Sequence, residues 1–226
     1  YLKANDAVVV VQYAERGVDP DSLHRQIMRK LRTLSPKSLR VYGASMGGMC
    51  AKDFLVRYAR DGSPYGQPTL ILDTAPSSSG DVKRPQWMFN ISSWYRGGPL
   101  TSMIWVAASK IGSSPTSEQG ADRSIAREGR KESAWVGMPA ITSQAAYIAG
   151  FERPQRNELV GIVERVVYLH GVNPGDDPLI RIDNAIAQWR RAFPHLEEVV
   201  IPGREGRWHV PLTERPHETL GFILSL

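Results

Sequence analysis

Residues Leu39 to Cys50, LRVYGASMGGMC, constrain the fold more than any other stretch: a short apolar run, a glycine-rich turn and the start of a helix follow one another without a linker. Gly43, Ser45 and Gly47 spell G-x-S-x-G. That spacing fits a chain that leaves a strand, turns sharply at the serine and enters a helix, passing so close to itself that the positions two before and two after Ser45 have no room for a Cβ. The corner holds Ser45 Oγ proud of the sheet edge. It also aims the Met46 N–H and the positive end of the new helix at the space beside that oxygen. The plainer alternative is a glycine-rich turn that happens to contain a serine.

The surrounding chain calls for a parallel α/β sheet. Ala7 to Tyr13, AVVVVQY, reads as a strand buried on both faces. Asp19 and Pro20 then supply an N-cap and a first helical residue, with Leu23, Ile27, Leu31 and Leu34 at three- and four-residue spacing. A helix from Met46 to about Arg60 follows the turn, stopped by Asp61-Gly62, and Thr69 to Leu72 is the next buried strand. The alternation resumes with a strand at Arg165 to Leu169. The loop VNPGDDP comes next, then a helix carrying Leu179, Ile182, Ile186 and Trp189, a strand at Glu198 to Ile201, and a closing helix from about Pro216 to Leu226. Strands alternating with helices predict a doubly wound, mostly parallel sheet that takes its ligand at the carboxyl ends of the strands.

Between these halves, residues 77–150 break the pattern. They are rich in Ser, Gly and Pro, hold Trp87, Trp94, Trp105 and Trp135, and show helical periodicity only near Leu100 to Ile111 and Ile141 to Phe151. An insertion of this length must carry structure of its own. The expected division is a core of residues 1–76 and 151–226 with 77–150 as the insertion. With 226 residues, 42% of them hydrophobic, one domain has a sizeable core and no second domain is required.

Charge and cysteine content narrow the partners. A net charge of +5 is spread without a run of five like charges, which gives nucleic-acid binding no support. The single cysteine, Cys50, cannot form an intrachain disulfide and is expected to pack behind the Ser45 turn. No apolar stretch reaches the length of a membrane span. The histidines are too dispersed for a metal set and no phosphate-binding glycine loop occurs, so the chemistry is read as cofactor-free and metal-free. The chain opens with Tyr and enters its expected first strand within six residues, which suggests an upstream segment removed or left out. Location is left open between the cytoplasm and secretion with that segment removed, as is the oligomeric state.

A serine needs an adjacent base to become a nucleophile, and the base needs a third group to hold its tautomer. Two histidines follow strands, His170 and His209, and acids follow strands at Asp73, Asp176 and Asp177. Here the chain resembles the α/β-hydrolases over about residues 5–226. The Gly43-Ser45-Gly47 turn resembles their nucleophile elbow. Asp177, standing before proline and two apolar residues in DDPLI, resembles their acid. His209, with Glu214 and Pro216 five and seven residues on, resembles their histidine segment. Trp208 departs from the pattern, standing where the family usually has glycine.

The resemblance implies an ester hydrolase in which Ser45 attacks, His209 moves the proton, Asp177 orients it and the Met46 amide holds the oxyanion. Residues 77–150 would form a helical cap, and the acid stays open between Asp177 and Asp176. Trp87, Trp94, Trp105 and Trp208 are candidates to line a pocket for an apolar ester substrate; the plainer reading of the three in the insertion is the cap's own small core, and Trp208 could narrow the pocket mouth or reorient the loop. The family's second oxyanion donor follows a front strand that this sequence does not contain. A thioesterase, amidase or peptidase would share the same core, and the rival from another class is a non-catalytic binding protein on the same fold.

Overall fold

The structure, a computed structural model, describes residues 7–12, 17–84, 138–201, 209, 212 and 215–226. Among the described residues four strands, β1 (Arg40–Ala44), β2 (Thr69–Asp73), β3 (Arg165–His170) and β4 (Glu197–Val200), form one sheet in chain order, and each of their pairings is parallel. Five α-helices among the described residues accompany them: α1 (Pro20–Leu34), α2 (Met46–Arg60), α3 (Met138–Gly150), α4 (Ile182–Ala192) and α5 (Pro216–Ser225).

The period-two alternation of the strands divides the core into two layers. Leu70, Leu72, Val166 and Tyr168 pack with Met28 and Leu31 of α1, with Phe54, Leu55 and Tyr58 of α2, and with Ile182, Ile186 and Trp189 of α4. Ile71, Val167, Leu169 and Ile201 pack instead with Phe222 and Ile223 of α5 and with Leu226. Helices on both faces explain why β2 and β3 are apolar almost throughout, since a parallel strand buried on both sides has no face for polar residues.

Local sequence accounts for the helix ends. The Asp19 carboxylate accepts the Asp21 N–H at 3.0 Å, Pro20 is the first residue of α1, and Ser35 ends the helix at φ 44°. Arg57 Nε donates to Asp21 Oδ1 at 2.6 Å, tying α2 to the first turn of α1.

Two expectations are corrected. Ala7 to Gln12 is not a strand: the segment is largely exposed, with Val8 and Val10 at 66% and 78%. A β-branched run becomes a strand only where a neighbour takes its backbone groups, and among the described residues β1 pairs with β2 alone. The fourth helix begins at Ile182, leaving Leu179 outside it, because Asp177 Oδ1 accepts the N–H groups of Leu179 and Ile180 at 2.7 Å each and holds that stretch as a turn. The periodicity expected near Leu100 to Ile111 lies outside the described residues.

Both ends of the 77–150 stretch dock on the core. Val82 bridges antiparallel to Ile180, Lys83 N–H donates to Leu179 O at 2.6 Å, and Arg181 N–H donates to Asp81 O at 2.7 Å. At the other end Tyr147 of α3 donates to Asp53 Oδ2 of α2 at 2.8 Å, and Ile148 packs with Met46, Met49 and Cys50.

Candidate functional site

Ser45 stands between β1 and α2 with φ 50° and ψ −126°, a left-handed conformation that a residue with a Cβ adopts only under strain. The crowding around it is steric: a Cβ on Gly43 would lie 2.5 Å from Gly47 O and 2.6 Å from Gly48 Cα, and one on Gly48 would collide with the Ala75 side chain. Although Ser45 occupies the N-cap of α2, its side chain makes no capping bond, which leaves Oγ available. As the first residue of α2, Met46 has no intrahelical carbonyl to receive its N–H, and that amide stands at the positive end of the helix dipole.

His209 meets this hydroxyl from far along the chain. Its Nε2 lies 2.7 Å from Ser45 Oγ, a contact between residues 164 positions apart. Its Nδ1 lies 3.0 Å from Asp177 Oδ2 and 3.2 Å from Oδ1. With an acid carboxylate on one side, the neutral ring carries its proton on Nδ1 and presents Nε2 to the serine as an acceptor. The Asp177 side chain is only 4% exposed and that of His209 only 11%. Burial raises the electrostatic worth of the pair above that of a surface contact.

The acid loop is built to hold Asp177 in place. Besides the two backbone donors on its carboxylate, its own carbonyl accepts Lys83 Nζ at 2.6 Å, and the same ammonium donates to Gly175 O at 3.0 Å. The neighbouring Asp176 is exposed and accepts from Asn173 Nδ2 at 3.1 Å. Of the two loop carboxylates, it is therefore Asp177 that reaches the histidine. Asp73, the third strand-end acid, is fully buried and accepts the Tyr42 hydroxyl at 2.6 Å. His170 is occupied elsewhere, with Nδ1 2.6 Å from Gly171 O and Nε2 3.0 Å from Glu198 Oε1. Trp87, Trp94, Trp105 and Trp208 lie outside the described residues.

No motif or spacing pointed to Thr74. It follows β2, is 3% exposed, has φ 46°, and donates its hydroxyl to His209 O at 2.6 Å. Threonine is a poor choice for a left-handed backbone on propensity alone, so its place emerges only from tertiary contacts. Among the described residues no group of three or more His, Cys, Asp or Glu could hold a metal ion, and no helix is long and apolar enough to cross a membrane.

No family model and no curated protein matches the chain in sequence. Solved structures do match in shape. A structure from a study of carboxylesterases of the ammonia-oxidizing thaumarchaeon Nitrososphaera gargenis aligns with a TM-score of 0.59 at 15% identity, over 92% of this chain and 71% of its own. MenH from S. aureus aligns with a TM-score of 0.56 at 15% identity, over 97% of this chain and 77% of its own. RedJ, a thioesterase from the prodiginine biosynthetic pathway in Streptomyces coelicolor, aligns with a TM-score of 0.54 at 13% identity, over 97% and 74%. At such identities the likeness is one of fold, and it agrees with the parallel sheet, the helices on both faces and the strand-turn-helix at Ser45. The chain has the α/β-hydrolase fold.

Proposed function

We propose that this protein is a serine hydrolase that cleaves a carboxylic ester through an acyl-enzyme. The observation that carries the reading is the hydrogen-bonded series Ser45 Oγ, His209 Nε2, His209 Nδ1, Asp177 Oδ2, with steps of 2.7 and 3.0 Å. Ser45 Oγ attacks the ester carbonyl carbon while His209 Nε2 takes the hydroxyl proton, and Asp177 stabilises the imidazolium that forms. The Met46 N–H receives the oxyanion. Collapse of the tetrahedral intermediate breaks the bond to the alcohol, which leaves with the proton from Nε2. A water then repeats the sequence on the acyl-enzyme, releasing the acid and restoring Ser45.

A fluorophosphonate probe tests this directly, because Oγ displaces fluoride from phosphorus only when a base activates it. Labelling is expected at Ser45 and is expected to vanish in Ser45→Ala; an unlabelled native protein would overturn the reading in favour of a binding protein on the same fold. Thioesters remain within reach of the same acyl transfer, and the RedJ likeness keeps that substrate class in view.

Residues 77–150 are proposed as a cap, with Trp87, Trp94 and Trp105 of that stretch and Trp208 beside the histidine turning an apolar surface towards Ser45. Along a p-nitrophenyl ester series kcat/KM should therefore rise with acyl length. Each buried methylene is worth up to about 0.8 kcal/mol, close to fourfold, until the pocket is full. A steady fall from acetate onward would make those aromatics cap core instead of pocket wall.

A further inference from the structure

We propose that the Asp73-Thr74 corner at the end of β2 is a positioning device for the serine-histidine pair, with Thr74 as a positioning residue that acts through the backbone of His209. This rests on the serine-hydrolase reading. Two successive residues of one corner hold the backbones of both reacting side chains: Asp73 O accepts the Ser45 N–H at 2.8 Å, and Thr74 Oγ1 donates to His209 O at 2.6 Å. The corner is itself anchored in the sheet, since Thr74 N–H donates to Leu169 O at 3.0 Å and Asp73 Oδ2 accepts the Tyr42 hydroxyl at 2.6 Å.

The strain at Thr74 points the same way. A β-branched residue at φ 46° is a backbone outlier. A turn that served the chain path alone would be met at no such cost by glycine, or nearly so by asparagine. Threonine contributes what neither has there, a hydroxyl within reach of the His209 carbonyl. Because Ser45 and His209 lie on separate segments, their 2.7 Å approach depends on whatever fixes both to one frame, and the corner bonds to each.

The experiment compares Thr74→Val, Thr74→Ser and Thr74→Gly with the native protein, by ester turnover, by the rate of fluorophosphonate labelling and by thermal melting. Valine keeps the β-branching and nearly the volume, so the backbone strain is unchanged and only the hydroxyl is lost. Thr74→Val is expected to lower kcat and the labelling rate about 10- to 100-fold, the range that follows a displacement of up to an ångström in a reacting pair, with KM little changed. Thr74→Ser restores both rates. Thr74→Gly relieves the strain and also lacks the hydroxyl, so its kcat should fall even if its melting temperature does not. Native kcat in either Thr74→Val or Thr74→Gly would overturn the proposal, whatever happens to the melting temperature, and would leave the hydroxyl as a satisfied buried donor. A native protein that fails to label at Ser45 would instead remove the hydrolase reading, and the inference with it.

Discussion

Asp177→Asn is expected to lower kcat on an ester substrate by about 10⁴-fold, the loss that follows this exchange in a serine-histidine-aspartate enzyme, while leaving the protein folded. The asparagine oxygen can replace Oδ1 as the acceptor for the Leu179 and Ile180 N–H groups, each at 2.7 Å, so the loop keeps its shape. The amide then presents a donor to His209 Nδ1 where the carboxylate presented an acceptor at 3.0 Å. The ring must answer with the other tautomer, which puts a proton on Nε2 facing Ser45 Oγ and removes the base. Asp176→Asn changes only an exposed side chain that accepts from Asn173, and its kcat should stay close to native. Steady-state rates of the two variants, with circular dichroism to confirm folding, decide the matter. A large loss in Asp176→Asn with native turnover in Asp177→Asn would overturn the assignment.

Much of the fold was legible in sequence because its signals are local. The Asp19-Pro20 start of α1, the apolar runs of β2 and β3, and the glycine two residues before Ser45 each state a backbone requirement within a few residues, and the structure has them where they were expected; a second crowded glycine is Gly48. Ala7 to Gln12 misled because β-branched composition reports a preference for extended backbone without naming a partner strand, and among the described residues there is none. Leu179 misled for a smaller reason: its spacing suits the helix that follows, but the Asp177 carboxylate takes its N–H first.

The site was legible as a set of residue types in order, less so as a set of contacts. Asp176 and Asp177 are neighbours of the same chemistry, and only the turn that buries one and exposes the other separates them. Lys83 and Thr74 carried no signal at all. Lys83 reaches the acid loop from 92 positions before Gly175, donating to Gly175 O and Asp177 O, and Thr74 works through a backbone carbonyl. Motifs record the side chains that meet substrate; the groups that hold a loop by its backbone can be many residue types and leave no spacing to read.

Alkaline pH should destabilise this protein steeply, because burial raises the pKa of several of its tyrosines, Tyr58 among them, and of Tyr168 and Tyr147 most strongly. Tyr168 is fully buried under the site, its hydroxyl donating to Ala75 O at 3.0 Å, and burial, with the nearby carboxylates of Asp177, Asp73, Asp81 and Glu198 adding to it, holds its pKa well above the ordinary value. Tyr147 joins α3 to Asp53, and burial, aided by Cys50 and Asp53, pushes its pKa far up as well. Both folded-state pKa values are raised above the unfolded value, so the stability they contribute is fully present below about pH 10 and is lost as pH climbs past it, since only the unfolded chain releases those protons. Each tyrosine removes about 1.4 kcal/mol of stability per pH unit, and the pair about 2.7. Against a typical stability of roughly 5–15 kcal/mol, two pH units remove a large share. Tyrosinate absorbance followed beside far-ultraviolet circular dichroism should show these two phenols ionising only in the unfolding transition, and Tyr168→Phe should make the loss of stability above pH 10 shallower. If all eight tyrosines ionised before any loss of helix signal, the two hydroxyls would be open to solvent, and the packing of α3 on α2 and of β3 beneath the acid loop would be looser than their hydrogen bonds require.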